Sequence, residues 1–216
     1  MRVVLKKSVA DEICRRWGFP QGMRKSNPHH DTQGRFASGG GELFGFKVAK
    51  LTRGQCRQLA QKCNMAKADS ECTIDRGDIV GSAEHYLRAL LAQSNKRDKW
   101  ICSPLFGGAR IRFNGDSLRH FFYTGRKRRS IEEIERRAKC LPFIKDILRG
   151  AGVKGGASYS ETGLLAFAVI GRARVDAKDT AIRVVISKRK SDKYFYLSVN
   201  NLGEVLKNPQ PPRRRE

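Results

Sequence analysis

Residues 164–201 read LLAFAVIGRARVDAKDTAIRVVISKRKSDKYFYLSVNN, and this stretch decides the fold. Runs rich in β-branched and aromatic residues cover 164–175, 180–188 and 193–201, and the polar turns DAKD and RKSD separate them. Antiparallel strands can be joined by short turns, whereas parallel strands need a crossover of about a dozen residues. The stretch therefore predicts an antiparallel β-meander.

The two faces of this meander differ in polarity, because alternate residues of a strand point to opposite sides of a sheet. The apolar face is expected to pack against helices between residues 130 and 149, and it contains Ile182, Val184, Ile186, Phe195, Leu197 and Val199. The opposite face is expected to gather Arg183, Val185, Ser187, Tyr194, Tyr196 and Ser198.

A basic stretch, residues 116–152, lies upstream of the meander. His120, one of four histidines in the chain, is followed closely by the run RKRR at 126–129. A helix is predicted to begin at Ser130, because serine followed three residues later by Glu133 forms a capping box. An imidazole, a cationic cluster and a helix N-terminus are the components of a phosphate-binding site.

The same stretch also contains residues that are expected to end helices. Pro142 lacks an N–H group and is expected to end or kink the helix, and it also suits the first position of a further short helix. Gly150 is expected to end that second helix. Before the basic stretch, residues 109–113 alternate arginine with Ile111 and Phe113, which predicts a half-exposed strand.

The chain as a whole divides into four predicted parts. Residues 1–42 are expected to form an arm and flexible linker, because they include a segment rich in Gly, Pro, Ser and Asn. Residues 43–98 are predicted to be mainly helical, 99–206 to form an α+β domain, and 207–216 to be a disordered basic tail. The predicted fold class is α+β, with a mainly helical N-terminal half and a C-terminal antiparallel meander packed on one or two helices.

The net charge of the chain indicates what kind of molecule it binds. The 216 residues contain 44 Lys and Arg against 21 Asp and Glu, a formal charge of +23. Self-repulsion of this size favours an anionic partner, of which nucleic acid, RNA or DNA, is the first expectation. An anionic membrane surface and a purely solubilising charge are the alternatives, and no apolar run approaches the length of a membrane span.

The cysteines predict neither a disulfide framework nor a metal site. Six cysteines are scattered through the chain and no pair has the C-x2-C spacing of a zinc knuckle. No secretory signal is visible at the N-terminus, so reduced thiols in a cytosol are expected. The sequence predicts no metal and no cofactor.

Metal-independent RNA cleavage is one chemistry that these residues would suit. It needs groups that transfer protons and cations that stabilise the charged phosphorane. Histidine suits proton transfer near neutral pH, and arginine binds phosphate oxygens through two parallel N–H groups. The candidate catalytic residues are His120, Arg183, Tyr194, Tyr196 and Ser198.

Residues of about 108–202 resemble a phage-associated domain of the barnase–EndoU–colicin–RelE nuclease superfamily. The resemblance rests on Leu118–His120 after a strand, on LPFIKDILRGAG, and on AIRVVISKRKSDKYFYLSVNN. It implies an RNase-like fold with an early histidine and polar strand residues, which His120, Arg183 and Tyr196 match. The α+β region contains no second histidine, so the resemblance allows a binding-only member. A short segment, GRFASG, resembles tails of phage head and DNA-injection proteins.

Three functions remain open on the sequence. Binding of nucleic acid by a phage or mobile-element protein ranks slightly above an active ribonuclease effector, and an inhibitor or adaptor of an acidic host protein comes third. The expected location is the host cytoplasm or a phage virion, with virion or host proteins as further partners and no membrane association. The predicted phosphate contacts are Arg119, Arg126, Lys127, Arg128, Arg129, Arg136, Arg172, Arg174, Lys188 and Arg189.

Overall fold

The computed structural model describes residues 42–43, 45–96, 101–159, 165–188 and 193–206. These residues have an α+β fold, which confirms the predicted class. The predicted arm before residue 42, the basic tail from 207 and Arg189 lie outside the described residues. No helix in the described part of the chain is both long and apolar enough to cross a membrane.

A small hairpin and two helices come first. Strands β1 (Glu42–Leu43) and β2 (Phe46–Lys47) pair antiparallel. Helix α1 (Arg53–Leu59) begins at Thr52, whose side chain accepts a hydrogen bond from the Gln55 N–H, and a 3-10 turn (Ala60–Lys62) extends it. Helix α2 (Ile79–Gln93) begins at Asp78. The Asp78 side chain accepts a hydrogen bond from the Gly81 N–H.

The middle of the chain alternates short strands with helices. Strands β3 (Ile101–Ser103) and β4 (Ala109–Arg112) precede helix α3 (Gly115–Phe122). A tight hairpin of β5 (Tyr123–Thr124) and β6 (Lys127–Arg128) leads into helix α4 (Ile131–Ala138). Helix α4 begins at Ser130, as predicted, whereas α3 was not predicted.

A helical segment and four strands complete the fold. The segment runs through a 3-10 turn (Leu141–Phe143), α5 (Ile144–Asp146) and Ile147–Ala151, where Gly150 has a φ of 132° and breaks the helix. The strands are β7 (Val153–Tyr159), β8 (Leu165–Val175), β9 (Lys178–Lys188) and β10 (Tyr194–Glu204).

The main sheet has six strands in the order β3-β4-β10-β9-β8-β7. Strands β8, β9 and β10 form the predicted antiparallel meander, and β7 adds to its edge. Strand β10 runs parallel to β4, which makes the sheet mixed. The C-terminal strand therefore lies in the interior of the sheet, between β4 and β9.

A β-bulge in β10 overturns the predicted alternation of its side chains. Tyr196 pairs with Ile186, but the next pair joins Ser198 to Val185, so Leu197 is an extra residue. An extra residue reverses which side chains face the core beyond the bulge. Tyr194 and Tyr196 are therefore buried on the same face as Ile186, where Phe195 and Leu197 had been expected.

Helices cover the sheet from both sides. Helices α3 and α4 contact β10, and Ile147 packs against Gly171 of β8 so closely that a Cβ there would lie 2.5 Å from its side chain. Helix α1 covers the other face, where Cys56 and Ala60 pack against Ile170 and neighbouring apolar residues. Residues from both 43–98 and 99–206 thus belong to one compact unit, Glu42–Glu216.

A buried ion-pair network fixes the loop between α1 and α2. Lys145 is 9% exposed, and its Nζ lies 2.7 Å from Asp69 Oδ2 and 3.0 Å from Glu71 Oε2. The hydroxyl of Tyr86 donates to Asp69 at 2.5 Å. Burial acts to raise the pKa of Asp69, but the hydrogen bonds from Lys145 and Tyr86 outweigh it and lower that pKa. The network ties this loop to α2 and α5.

Candidate nucleic-acid interface

The five candidate catalytic residues do not converge on one site. His120 is exposed on α3, which lies on the same side of the sheet as α4. Arg183 alternates with the buried Ile182 and Val184 and projects to the opposite side, where its charge acts on Cys56 of α1. Arg183 thus lies beside Cys56 of α1, and it is not among the charges that act on the His120 imidazole.

The two tyrosines are part of the core. Tyr194 is 7% exposed and its ring lies 4.9 Å from that of Phe106. Tyr196 is fully buried and stacks on Phe113 at 4.8 Å. Burial raises the pKa of Tyr196, so its phenol stays protonated. Ser198 lies beyond the bulge, on the side of Val185 and Arg183 rather than with the tyrosines.

His120 belongs to a cationic environment instead. Partial burial lowers the pKa of its imidazole, and the charges of Arg119, Arg129 and Arg137 lower it further, against the opposing effect of Asp116. The ring is therefore mostly neutral at pH 7. The Arg129 side chain donates to the His120 carbonyl at 3.4 Å. The charges that act on the His120 imidazole are thus mainly those of arginines.

Four cations on α3 and on the hairpin that follows it make no ion pair or side-chain hydrogen bond with any described residue. They are Arg119 of α3 and three residues of the β5–β6 hairpin, Arg126, Lys127 and Arg128, and all four are exposed. We call these four residues the basic hairpin cluster. Unpaired, solvated cations are available to phosphate groups without first breaking an internal contact.

The other predicted phosphate contacts are mostly engaged inside the protein. Arg129 pairs with Glu133, and Arg136 donates to the Glu132 carbonyl on its own helix. Arg172 holds Asp179 with its Nε 2.9 Å from Oδ1. Lys188 is 4% exposed, with its Nζ 5.6 Å from the centre of the Tyr194 ring.

Arg174, another predicted phosphate contact on the strands, is exposed. Arg189 lies outside the described residues. The cations available for phosphate are therefore concentrated on α3 and the hairpin more than on the meander.

A cleft of about 230 Å³ opens beside the basic hairpin cluster. Three elements form its walls: α2, α3 and the hairpin. Its lining residues are Val80, Glu84, Arg88, Leu118, Arg119, Phe122, Tyr123 and Arg128. Tyr123 and Arg128 are paired across the hairpin, so their side chains point to the same face.

Sequence reasoning missed Arg88, Tyr123 and the cleft itself. The signal for the hairpin was present in the short turn Thr124–Gly125–Arg126, where Gly125 adopts a φ of 60°. No sequence pattern connects Arg88 to this turn, because the contact depends on how α2 packs against α3. The way in which α2, α3 and the hairpin come together therefore could not be predicted from the sequence.

In the described part of the chain, no group of three or more His, Cys, Asp or Glu side chains is placed to hold a metal ion. Comparison of the chain with protein-family models, curated proteins and solved structures found no match. The class of protein therefore has to be inferred from the fold and the cationic surface.

Proposed function

We propose that this chain is a nucleic-acid-binding protein encoded by a phage or mobile element, with an RNase-like α+β domain. The observation that carries the proposal is the basic hairpin cluster: four exposed cations, without ion pairs among the described residues, within ten residues of sequence. A formal charge of +23 supports it. Attribution to a phage or mobile element, and the RNase-like assignment, rest on the resemblance of residues 108–202 and of GRFASG.

Binding is favoured over catalysis by the position of the histidine. Cleavage of RNA would need a second proton-transfer group close to His120. Arg183 lies beside Cys56 of α1, outside the set of charges that act on His120, and Tyr196 is fully buried, so neither supports that role. Purified protein is expected to leave RNA intact over hours in the presence of a chelator, and specific cleavage that His120→Ala abolishes would favour the ribonuclease alternative.

The salt dependence of binding tests the proposed function. If the four cations of the cluster each contact a phosphate, they contribute a slope of about −3.6 to log K against log salt for duplex DNA. Fluorescence anisotropy of labelled RNA and DNA between about 50 and 300 mM salt measures it. A flat response would contradict the proposal and would favour the adaptor alternative, which pull-down before and after nuclease treatment would then test.

His120→Ala provides a specific prediction within this experiment. The imidazole is mostly neutral at pH 7, so its removal takes away no charge from the cluster. Affinity is expected to change by less than about twofold and the salt slope to stay unchanged. A loss as large as that of a charge-reversal variant would show that His120 itself carries the binding.

A further inference from the structure

The cleft beside the basic hairpin cluster combines an aromatic ring with cations on three walls. Helix α2 presents Val80, Glu84 and Arg88, which are spaced four residues apart and so form one stripe. Helix α3 presents Leu118, Arg119 and Phe122, and the hairpin presents Tyr123 and Arg128. The walls therefore alternate apolar and cationic groups around one small volume.

The charge of the cleft remains positive after its internal ion pair is counted. Arg88 Nη2 lies 2.6 Å from Glu84 Oε1, so these two residues largely neutralise one another. Arg119 and Arg128 have no such partner among the described residues, which leaves two uncompensated cations facing the cleft. An anionic ligand is thus favoured over a neutral one.

The aromatic ring is accessible from solvent. Tyr123 is 40% exposed, unlike Tyr86, Tyr194 and Tyr196, which are buried. Arg128 is its direct partner across the hairpin and shares its face. A volume of about 230 Å³ is smaller than most drug-sized pockets. It suits one flat ring against Tyr123, with the attached phosphates on the flanking arginines.

We propose that this cleft binds one unpaired base of a single-stranded nucleic acid, stacked on Tyr123, with neighbouring phosphates held by Arg119 and Arg128. The proposal rests on the proposed function and specifies its partner as single-stranded. Stacking on an aromatic ring needs an unpaired base, because bases inside a duplex have their faces covered by neighbouring pairs. The site accepts any base, since every base has a π-face.

A fluorescent base analogue tests the proposal directly. The full chain is titrated into a single strand that contains one 2-aminopurine, whose emission falls when the base stacks. Wild-type protein is expected to quench it. Tyr123→Leu is expected to lose most of the quenching and to bind the strand about tenfold more weakly. Affinity for a fully paired duplex of the same length should not change.

Two further variants separate stacking from general disturbance. Tyr159, on the edge strand β7, is 39% exposed and so matches Tyr123 in accessibility. Tyr159→Leu is expected to behave as wild type. Tyr123→Phe retains the ring and is expected to rescue the quenching that Tyr123→Leu loses.

The results that would contradict the stacking site differ from those that would contradict the proposed function. Equal quenching and affinity in wild type and Tyr123→Leu would overturn the stacking site. The proposed function would still hold in that case if charge reversal at Arg126–Arg128 weakened binding. An equal loss for single strand and duplex would likewise overturn stacking. Absence of wild-type binding to any strand would overturn both the site and the proposed function.

Discussion

Replacement of Arg126, Lys127 and Arg128 by glutamate is expected to weaken nucleic-acid binding by at least roughly 500-fold at about 0.1 M salt. A phosphate contact has a salt slope of about 0.9, which corresponds to roughly eightfold in affinity at that salt concentration, and three contacts multiply. Reversal of charge adds repulsion to this loss. Anisotropy with RNA and DNA measures the change.

A control variant carries the same change of charge, three cations replaced by glutamate, at positions outside the basic hairpin cluster. Lys47, Lys50 and Lys62 are exposed residues around β2 and the end of the first helical segment, outside the cluster. Their replacement by glutamate lowers the net charge of the chain equally, so it measures the contribution of overall charge alone. A smaller loss, within about tenfold, is expected. Equal losses in both triple variants would show that the protein binds through its total charge, without a defined surface.

Removal of the buried cation Lys145 is expected to have the largest effect on stability. Lys145→Met leaves Asp69, whose side chain is 11% exposed, without its closest cationic partner at 2.7 Å. Loss of one member of a buried ion pair typically costs about 3–5 kcal/mol, because the other charge stays desolvated. We expect a decrease of about 3 kcal/mol in the free energy of unfolding, measured by denaturant titration, since Tyr86 still donates to Asp69.

An exposed pair and a double variant control this experiment. Lys139 pairs with Asp176, and both side chains are well exposed, at 39% and 53%. Lys139→Met is expected to cost less than about 1 kcal/mol. Lys145→Met combined with Asp69→Asn should be more stable than Lys145→Met alone, because the carboxylate that remains without Lys145 is that of Glu71, whose side chain is 49% exposed. Additive losses in the double variant would contradict an energetic coupling between Lys145 and Asp69.

The same pair predicts a pH dependence. The pKa of Asp69 is lowered in the folded protein, so its contribution to stability is present above the pKa of the unfolded chain, about 3.9. That contribution is lost as pH falls from there through the lower folded value. Lys145→Met should therefore flatten the fall in stability below about pH 4, as followed by thermal melting. An unchanged acid profile would show that other carboxyl groups control it.

Local signals in the sequence were sufficient for part of the fold. The short polar turns predicted the meander because only antiparallel strands can be joined so closely. The cap at Ser130 located helix α4, because its side chain accepts a hydrogen bond from the Glu133 N–H in the first turn. These features depend on neighbours within a few residues, and such neighbours are visible in sequence.

Features that depend on distant contacts were not predictable. Strand β7 reads VKGGASY, and its glycines weaken the strand pattern. They are required because a Cβ at Gly155 would lie 2.6 Å from Ile170 Cγ1, and one at Gly156 would lie 2.5 Å from the Ala49 carbonyl oxygen. The parallel pairing of β10 with β4 depends equally on tertiary structure.

In the candidate site too, features set by near neighbours were predictable and features set by distant contacts were not. The run Arg126–Arg129 is visible in the sequence, but which of its cations pair inside the protein depends on Glu133 and on the hairpin. The strand tyrosines were assigned to a polar face because the bulge at Leu197 leaves no mark in the alternation of residues. A single extra residue thus moved two proposed catalytic groups into the core.

Chemical-shift mapping with a single-stranded oligonucleotide tests the central claim most directly. Amide and arginine side-chain resonances of the ¹⁵N-labelled full chain are followed during titration. The basic hairpin cluster and the cleft should show the largest changes, at Arg88, Arg119, Tyr123 and Arg126–Arg128. Changes confined to the sheet around Arg110, Arg112 and Arg183, with the hairpin unaffected, would contradict the placement of the nucleic-acid interface on α3 and the β5–β6 hairpin.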